Sequence, residues 1–300
     1  MKKLLILLLL STSLSTFADS HLDFTLSDFC YKQPGVQERG GVYYFPNKEV
    51  GITATSICVY KDAYGQNQSK GKLKKGIRDG IWTYWHNNGQ KSEESEYKEG
   101  KLYGRSTTWI KNGQKIFEIN SKDGLYDGFM TSWYENGQKL EEINYNKGKE
   151  DGLAISWYEN GQKSAKRNFK DGNMDGEWIL WFEDGQIRQR ENFKDGNKDG
   201  KWTFWYENGQ IWVETNWKDN KLDGKETIWH KNGQKRIEQN YKDGVENGKE
   251  ISWYEDGQKH SEINYKNSKV DGKMTLWMES GQIFLESTYK DGECISGDCD

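Results

Sequence analysis

The side chains that could carry catalysis are few and scattered along the chain. Four histidines occur, His21, His86, His230 and His260, and no Ser-His-Asp arrangement can be recognised around them. A general base needs a partner that positions it, so we interpret these histidines as surface variations. The glycines recur at regular intervals as turn residues, unlike the single strand-to-helix loop that cradles a phosphate. We therefore predict that the protein is not an enzyme and has no cofactor.

Metal binding is the second chemistry to consider. The segment Asp171–Gly176 and its copy at 195–200 read Asp-x-Asn-x-Asp-Gly, which places three oxygen ligands in one loop, as calcium loops do. The twelfth position, which is acidic in calcium loops, holds Phe182 and Tyr206. A hairpin turn favours Asp and Gly at these places in any case. We predict no metal site.

The four cysteines fall into one pair at each end of the chain. Cys294 and Cys299 have no nearby His or second Cys pair that would complete a zinc site. An even number of cysteines in an oxidising compartment indicates disulfides. We predict the disulfides Cys30–Cys58 and Cys294–Cys299, and the second would close a small loop at the C-terminus.

The N-terminal segment has the composition of a secretion signal. Residues 1–3 are basic, residues 4–10 are an unbroken apolar run, and Ala18 precedes the expected cleavage point at Asp19. No Cys stands at that point, which argues against a lipoprotein. No later stretch approaches the run of about 20 apolar residues that a membrane helix needs. We predict that residues 1–18 are a signal peptide and that the mature protein is periplasmic or secreted.

Composition limits both the fold and the partners. The 300 residues are 33% hydrophobic and 14% aromatic, with 33 Gly and only 2 Pro. This balance excludes collagen, coiled coils and ordinary disorder, and it leaves turn-rich β structure. The formal net charge of −4 argues against nucleic acid as a partner and does not support membrane contact through charge.

A repeat of 24 residues organises most of the chain. Gly-Gln recurs nine times between Gly89 and Gln282 without insertion or deletion, and a second Gly recurs from Gly80 to Gly272. A structural ladder of Trp follows the same register: Trp85, Trp109, Trp133, Trp157, Trp181, Trp205, Trp229, Trp253 and Trp277. A strict period of this length is typical of stacked repeat architectures.

The register divides the chain into segments. Residues 80–292 hold the nine units, and residues 56–79 are predicted to be a degenerate capping repeat, since Lys61 stands at its Trp position. Residues 19–55 are the predicted N-terminal cap, and residues 293–300 are a C-terminal tail.

Each unit has the pattern of a β-hairpin. Its Asn-Gly favours a type I′ turn, in which both central residues have positive φ, and a looser turn leads to the next unit. A β-branched row from Thr83 to Thr275 lies two residues before the Trp row, so both share one face, which we interpret as buried. The alternate row, from Tyr84 to Leu276, is then partly exposed. The face that receives the second strand's rings, from Tyr97 to Tyr289, stays open, because a shift of one residue would reverse it.

The unit D-G-x-W-x-x-W-Y-E-N-G-Q-K-x-x-E-x-N-Y-K-D-G resembles the MORN repeat in its bacterial variant form, the MORN-2 type. The resemblance covers residues 56–292. It implies an all-β fold, an elongated meander of antiparallel β-hairpins, which commonly acts as a scaffold or contact surface. The variant repeat is shared with exported proteins and with a family of toxin–antitoxin antitoxins, which implies an antitoxin-like protein as one alternative.

These features predict a non-enzymatic exported protein that presents an extended aromatic and charged surface to another protein. Nine similar units offer multivalent contact. The alternatives are a module that binds cell-wall glycan through exposed rings and a structural spacer. Trp178, Trp202 and Trp212 exceed the rings that the repeat requires, and interfaces draw their anchors from Trp and Tyr. We predict that these three residues form a contact patch, the alternative being that they thicken the core.

Overall fold

The computed structural model describes residues 37–40, 42–44, 49–51, 53–59 and 67–299. The predicted signal peptide, Cys30 and most of the predicted N-terminal cap lie outside these residues. All regular structure in the described residues is β. They contain no helix that is long and apolar enough to cross a membrane.

The structure is built from short strands. Their bounds are β1 Gln37–Arg39, β2 Val42–Tyr44, β3 Ala54–Val59, β4 Asn67–Lys74, β5 Ile77–Arg78, β6 Gly80–Trp85, β7 Lys91–Lys98, β8 Lys101–Trp109, β9 Lys115–Lys122, β10 Leu125–Trp133, β11 Lys139–Asn146, β12 Lys149–Trp157, β13 Lys163–Lys170, β14 Asn173–Met174, β15 Gly176–Trp181, β16 Ile187–Lys194, β17 Asn197–Lys198, β18 Gly200–Trp205, β19 Ile211–Lys218, β20 Lys221–Leu222, β21 Gly224–Trp229, β22 Lys235–Lys242, β23 Val245–Glu246, β24 Gly248–Trp253, β25 Lys259–Lys266, β26 Lys269–Trp277, β27 Ile283–Lys290 and β28 Glu293–Gly297.

The strands pair in chain order. β1 pairs with β2, and the strands from β3 onward form one antiparallel sheet in which each unit's hairpin pairs with the next. In the described residues, β3 pairs with β4 alone and β28 with β27 alone, so the sheet begins and ends at these strands. The predicted fold class, an all-β meander of antiparallel hairpins with a 24-residue unit, is confirmed.

Every unit uses the same register. We number its positions from 1, the opening Gly, to 24. In the third unit, Gly128 lies opposite Tyr145 and Met130 opposite Ile143, and the same positions pair in the other units. Positions 1, 3, 5, 14, 16 and 18 therefore share one face, called face A. Positions 2, 4, 6, 15 and 17 share the opposite face, called face B.

The Asn-Gly turn is not the predicted type I′ turn. Gly137 has φ of 86°, but Asn136 is not among the residues with positive φ. The Gly137 amide donates to the carbonyl oxygen of Tyr134 at 3.0 Å, as in a type I turn followed by a left-handed Gly. Asn136 accepts from the Gln138 amide at 2.9 Å and donates to the Glu159 carbonyl of the next unit at 3.2 Å. The turn therefore needs Asn for these side-chain hydrogen bonds and not for its backbone conformation.

The type I′ turn lies at the second turn of the unit, which the sequence presents as the looser one. Asp171 and Gly172 have φ of 52° and 85°, so both central residues are left-handed. The Asp175 carboxylate accepts from the Asp195 amide of the next turn at 3.1 Å. The Asp-x-Asn-x-Asp-Gly segments are thus turn structure.

Stacking of successive turns explains the invariant Gly-Gln. A Cβ added to Gly161 would lie 2.5 Å from the Oε1 atom of Gln138 in the preceding unit. Gly161 also has φ of 83°, which a side chain with a Cβ rarely adopts. Conformation and close approach both require Gly at this position.

A ring at position 7 joins neighbouring turns. The Tyr158 hydroxyl donates to the carbonyl oxygen of Trp181 in the next unit at 2.6 Å. His86 and His230 replace Tyr in two units, and the His86 Nε2 atom lies 2.8 Å from the Trp109 carbonyl oxygen. These two histidines are half-buried structural side chains, a role that the interpretation as surface variations missed.

Candidate binding surface

The hydrophobic cores lie on face A, which corrects the interpretation that the Trp row marks the buried face. One core contains Leu73, Trp82 and Tyr97. The other contains Ile119, Met130, Ile143 and Ala154, with rings such as Phe169 packed against it. These residues stand at positions 3, 16 and 18, of which position 18 is the ring row of the second strand and positions 3 and 16 change in side-chain type from unit to unit. Because positions 3 and 16 vary, the sequence period does not reveal the row that they form.

The Trp ladder lies on face B and is half-buried throughout: Trp85, Trp109, Trp133, Trp157, Trp181, Trp205, Trp229, Trp253 and Trp277. A Lys of the preceding unit covers several of these rings, as Lys115 covers Trp133 with its Nζ atom 4.2 Å from the ring centre. The same lysine is 3.1 Å from Glu118. The Trp rings are therefore shielded by charged neighbours, while the β-branched row beside them is buried in units such as that of Thr227.

The rings of the second strand lie on face A, which settles the question that the sequence leaves open. Position 18 is opposite position 1, on the same face as position 3. The Phe193 ring accordingly lies 5.6 Å from Trp178 and 5.3 Å from Trp202, measured between ring centres. Face A thus collects rings from both strands of a unit.

A continuous group of rings forms in the middle of the chain on this face. We call it the central ring cluster, and its members are Trp178, Phe193, Trp202, Phe204, Tyr206, Trp212 and Trp217. Successive ring centres are 5.3 to 6.3 Å apart. Such contacts add to the stabilisation that comes from burial alone.

The three predicted contact residues all belong to this cluster but differ in exposure. Trp202 is 6% exposed and donates from Nε1 to the Asn192 carbonyl at 3.0 Å, so it packs as a core residue. Trp178 is half-buried, and its Nε1 atom is buried without a hydrogen-bond partner. Trp212 is 45% exposed and lies against Phe204 and Tyr206. Binding by these residues stays a prediction, and only Trp212 presents a large ring surface to solvent.

Charged groups are built into the cluster. The Lys198 Nζ atom lies 4.4 Å from the centre of the Trp202 ring and 4.2 Å from that of Trp217, so two rings share one cation. Glu191 is 4% exposed and accepts a hydrogen bond from Gln189. Burial raises the pKa of Glu191 to about 7, against the lowering by the Gln189 hydrogen bond and the Lys198 charge.

Positions 3 and 16 alternate along the middle of face A and form what we call the central row. From Ile119 to Ala154 this row is apolar. It becomes polar at Arg167, which lies opposite Ala154, donates to the carboxylate of Glu141 and reaches the Ser156 hydroxyl at 2.8 Å. The central row therefore changes character one unit before the central ring cluster.

From Glu226 to Glu250 the central row contains two carboxylates and an amide. Glu226 accepts a hydrogen bond from Gln239, which also donates to the Tyr241 hydroxyl at 2.8 Å. Burial and the nearby carboxylates, Glu226 first, raise the pKa of Tyr241 to about 12. Burial, and then the charge of Glu246, raise the pKa of Glu250.

The polar side chains of face A include amides, hydroxyls and single carboxylates. Ser252 Oγ lies 3.0 Å from His260 Nδ1 and 2.6 Å from Ser261 Oγ, but no acidic group is hydrogen-bonded to His260 in the described residues. The described residues also contain no group of three or more His, Cys, Asp or Glu that could hold a metal ion. Rings, amides and single carboxylates can bind a chain or a sugar.

The structure describes both cysteines of the C-terminal pair and one cysteine of the N-terminal pair. Cys294 and Cys299 form a disulfide, as predicted. Cys58 is disulfide-bonded as well, but its predicted partner, Cys30, lies outside the described residues.

Comparison with known proteins identifies the repeat. The MORN repeat variant matches residues 78–99, 126–147, 150–171, 174–195, 198–219, 222–243 and 246–267, together just over half of the chain. The chain belongs to the MORN-repeat family. A comparison with curated proteins finds no significant match.

The matched segments follow the hairpins of the structure, and two MORN units lie outside them. One is the unit that opens at Gly104, in which Ser106 and Ser121 replace larger residues on face A. The other is the last unit, which opens at Gly272. In it Met278 stands at position 7 and Ser280 at the Asn position, so the last MORN unit lacks side chains that join consecutive turns elsewhere.

Proposed function

We propose that this MORN-repeat protein is a non-enzymatic exported protein that binds another protein through face A, at the cell envelope or outside the cell. MORN repeats commonly mediate interactions, which agrees with a contact role. The observation that carries the proposal is the central ring cluster, in which the exposed ring of Trp212 continues into half-buried and buried rings. Aromatic anchors beside partly buried charges are the composition of interface centres.

The sequence supports export through residues 1–18, which have the pattern of a signal peptide. The Cys294–Cys299 disulfide is consistent with an oxidising compartment. An antitoxin-like role would require the protein to meet a cytosolic toxin, which an exported protein does not do. We therefore propose a partner outside the cytoplasm.

A glycan is the second candidate partner. The Trp212 ring, with Tyr206 6.0 Å away and inclined by 37°, is a surface on which a sugar ring can stack. The buried carboxylate of Glu191 and the amide of Gln189 lie in the same part of face A and have the hydrogen-bonding groups that hydroxyls need. A structural spacer would use neither feature.

The test compares the mature wild-type protein with Trp212→Ser. The matched control is Leu140→Ser, because Leu140 occupies the same position 13 and is also exposed. The two assays are capture of purified envelope proteins, identified by mass spectrometry, and co-sedimentation with purified peptidoglycan. We expect one envelope protein to be captured by wild type and Leu140→Ser but lost with Trp212→Ser. Co-sedimentation with peptidoglycan that is lost with Trp212→Ser would indicate a glycan as the partner instead of a protein. Absence of binding in both assays would favour the structural spacer.

A further inference from the structure

Position 2 of the unit divides face B into two halves. In the units from Gly200 onward it is Lys, and each of these lysines pairs with the Glu at position 15 of its own unit, as Lys225 does with Glu238 at 2.7 Å. In the earlier units it is apolar and exposed at three places, with Ile81 59%, Phe129 58% and Leu153 41% exposed. Exposed apolar side chains grouped on one face of a sheet mark contact surfaces.

Charged residues of opposite sign flank the apolar pair Phe129 and Leu153. Along position 2, Arg105 precedes Phe129 by one unit, and Glu177 follows Leu153 by one unit. The Arg105 side chain is 67% exposed, and its nitrogen lies 4.0 Å from the carboxylate of Glu118, so its charge is only loosely paired. The order along the row is therefore cation, apolar, apolar, anion.

Position 15, on the strands between, changes sign at the same place. It is Glu in the first three units, and it is Lys166 and Arg190 in the fourth and fifth. The Glu177 carboxylate lies between these two cations, 3.7 Å from Lys166 and 3.3 Å from Arg190. Arg105 lies in the same way between the strands that hold the Glu residues of the first two units. The two ends of this segment of face B are thus opposite in charge.

This pattern matches itself under a two-fold rotation. A second copy turned by 180° about an axis parallel to the strands reverses the order of the units and keeps the strands aligned, as in face-to-face packing of sheets. With the axis at β11, which lies between β10 and β12, Phe129 of one copy faces Leu153 of the other, and Arg105 faces Glu177. Position 15 matches as well, with Glu118 opposite Lys166 and Glu94 opposite Arg190.

The other side chains of these two rows are compatible with the match. Glu142 lies on the axis against its own copy, and Lys139 already holds its carboxylate at 2.5 Å. Ile81 faces Lys201, whose ammonium group lies 2.5 Å from Glu214, so that the aliphatic stem of the lysine is left for contact. The lysines of position 12 lie outside the two rows, against the Trp ladder.

We propose that two copies of the chain pack face B against face B about this axis, through the position 2 and position 15 rows of the first five units. Opposite charges around an apolar centre fix the orientation of such a contact. A copy turned about an axis in the later units would instead set the lysines of position 2 against each other. The dimer leaves face A free, so it does not depend on the proposed function, and either can fail alone.

Sedimentation velocity of the mature protein over a concentration series tests the dimer. We expect a reversible wild-type dimer, and we expect Phe129→Lys, Arg105→Glu and Glu177→Arg each to weaken it by about tenfold or more. Circular dichroism checks that each variant folds. Lys225→Glu changes position 2 outside the contact, and Leu140→Lys changes an exposed leucine outside the two rows, so both are expected to dimerise as wild type does.

Mixing the two charge variants tests the two-fold geometry. Each variant alone sets like charges against each other at both contacts between positions 105 and 177, whereas a mixed dimer joins opposite charges at both. We therefore expect an equimolar mixture of Arg105→Glu and Glu177→Arg to restore the association that each variant has lost. A wild-type protein that stays monomeric at every concentration, a dimer that survives Phe129→Lys, or a mixture that fails to associate would overturn the proposal.

Discussion

From Ile119 to Ala154 the central row of face A is apolar and buried, whereas from Glu191 to Glu250 it contains three carboxylates, the Gln239 amide, Thr215 and one ring, Trp202. Both regions have the same strand register and the same turns. Backbone pairing and turn stacking are therefore sufficient to define the repeat. The central row is free to vary, and it separates an apolar part of the sheet from a part that is polar and aromatic.

The largest expected effect tests the apolar part. Ile143→Ala should lower the free energy of unfolding by about 3 to 4 kcal/mol, because it leaves a cavity at a side chain that is fully buried. Ile263→Ala, at the same position 16 of a later unit, should cost about half as much, since Ile263 is half-buried. Urea denaturation combined with hydrogen exchange of each unit measures both. Equal losses would contradict the difference in burial between these two units.

Substitution of Arg167, at the boundary between the two regions, should lower the free energy of unfolding by nearly as much. Arg167→Met removes the cation that pairs with Glu141 and should cost about 3 kcal/mol, because a buried carboxylate is left without its ion partner. The double variant with Glu141→Gln should regain most of this loss. Lys249→Met breaks an exposed pair with Glu262 and should cost less than about 1 kcal/mol. Denaturation of the four proteins under one set of conditions gives the comparison.

The polar part of the central row should respond to pH through Glu191. Its pKa in the folded protein is about 7, above the ordinary value of 4.5. Between pH 4.5 and 7 the Glu191 carboxyl is therefore protonated in the folded state and ionised in the unfolded state. The resulting stabilisation is complete below pH 4.5 and is lost as pH rises through 7. We expect a fall of about 3 kcal/mol in the free energy of unfolding over that range.

Glu191→Gln should flatten this fall, while Glu262→Gln should leave it in place. Hydrogen bonds from Lys249 and Lys259 lower the pKa of Glu262, so its contribution has the opposite sign and is lost as pH falls through the lowered value. Denaturation at several pH values checks both variants. A slope that survives Glu191→Gln would assign the pH dependence to another group.

The smallest expected effect concerns what the two regions share. Tyr134→Phe and Tyr254→Phe each remove one hydrogen bond between turns, at 2.9 and 2.8 Å, and each should cost about 1 kcal/mol. Phe182→Tyr supplies the missing hydroxyl and should stabilise the protein by a similar or smaller amount. Thermal melts suffice, and unequal losses at the two tyrosines would mean that turn stacking differs along the sheet.

The sequence period was sufficient to predict the unit, the hairpins and the family, and the pairwise placement of the cysteines predicted the Cys294–Cys299 disulfide. It misplaced the type I′ turn, because Asn-Gly has two uses: a left-handed backbone, or an amide side chain that bonds the next turn, as Asn136 does. Only contacts between units distinguish them.

The faces were harder to predict for a similar reason. Trp was the most regular residue and was interpreted as core, but Lys115 and its equivalents cover the Trp rings on face B. The central row has no fixed residue type, so periodicity could not reveal it. Excess rings did identify Trp178, Trp202 and Trp212 as neighbours in one cluster, although the sequence could not indicate which of them is exposed.

The unbroken 24-residue register fixes distances along the molecule. Two strands at about 4.8 Å spacing advance the sheet by roughly 10 Å per unit. The unit containing Trp212 and the last unit, which opens at Gly272, are three units apart, which corresponds to about 30 Å along the sheet. Inserting or deleting one whole unit between them would lengthen or shorten this separation by one step. Copying or deleting whole units therefore changes the spacing of surface features in steps of about 10 Å while the strand register is kept.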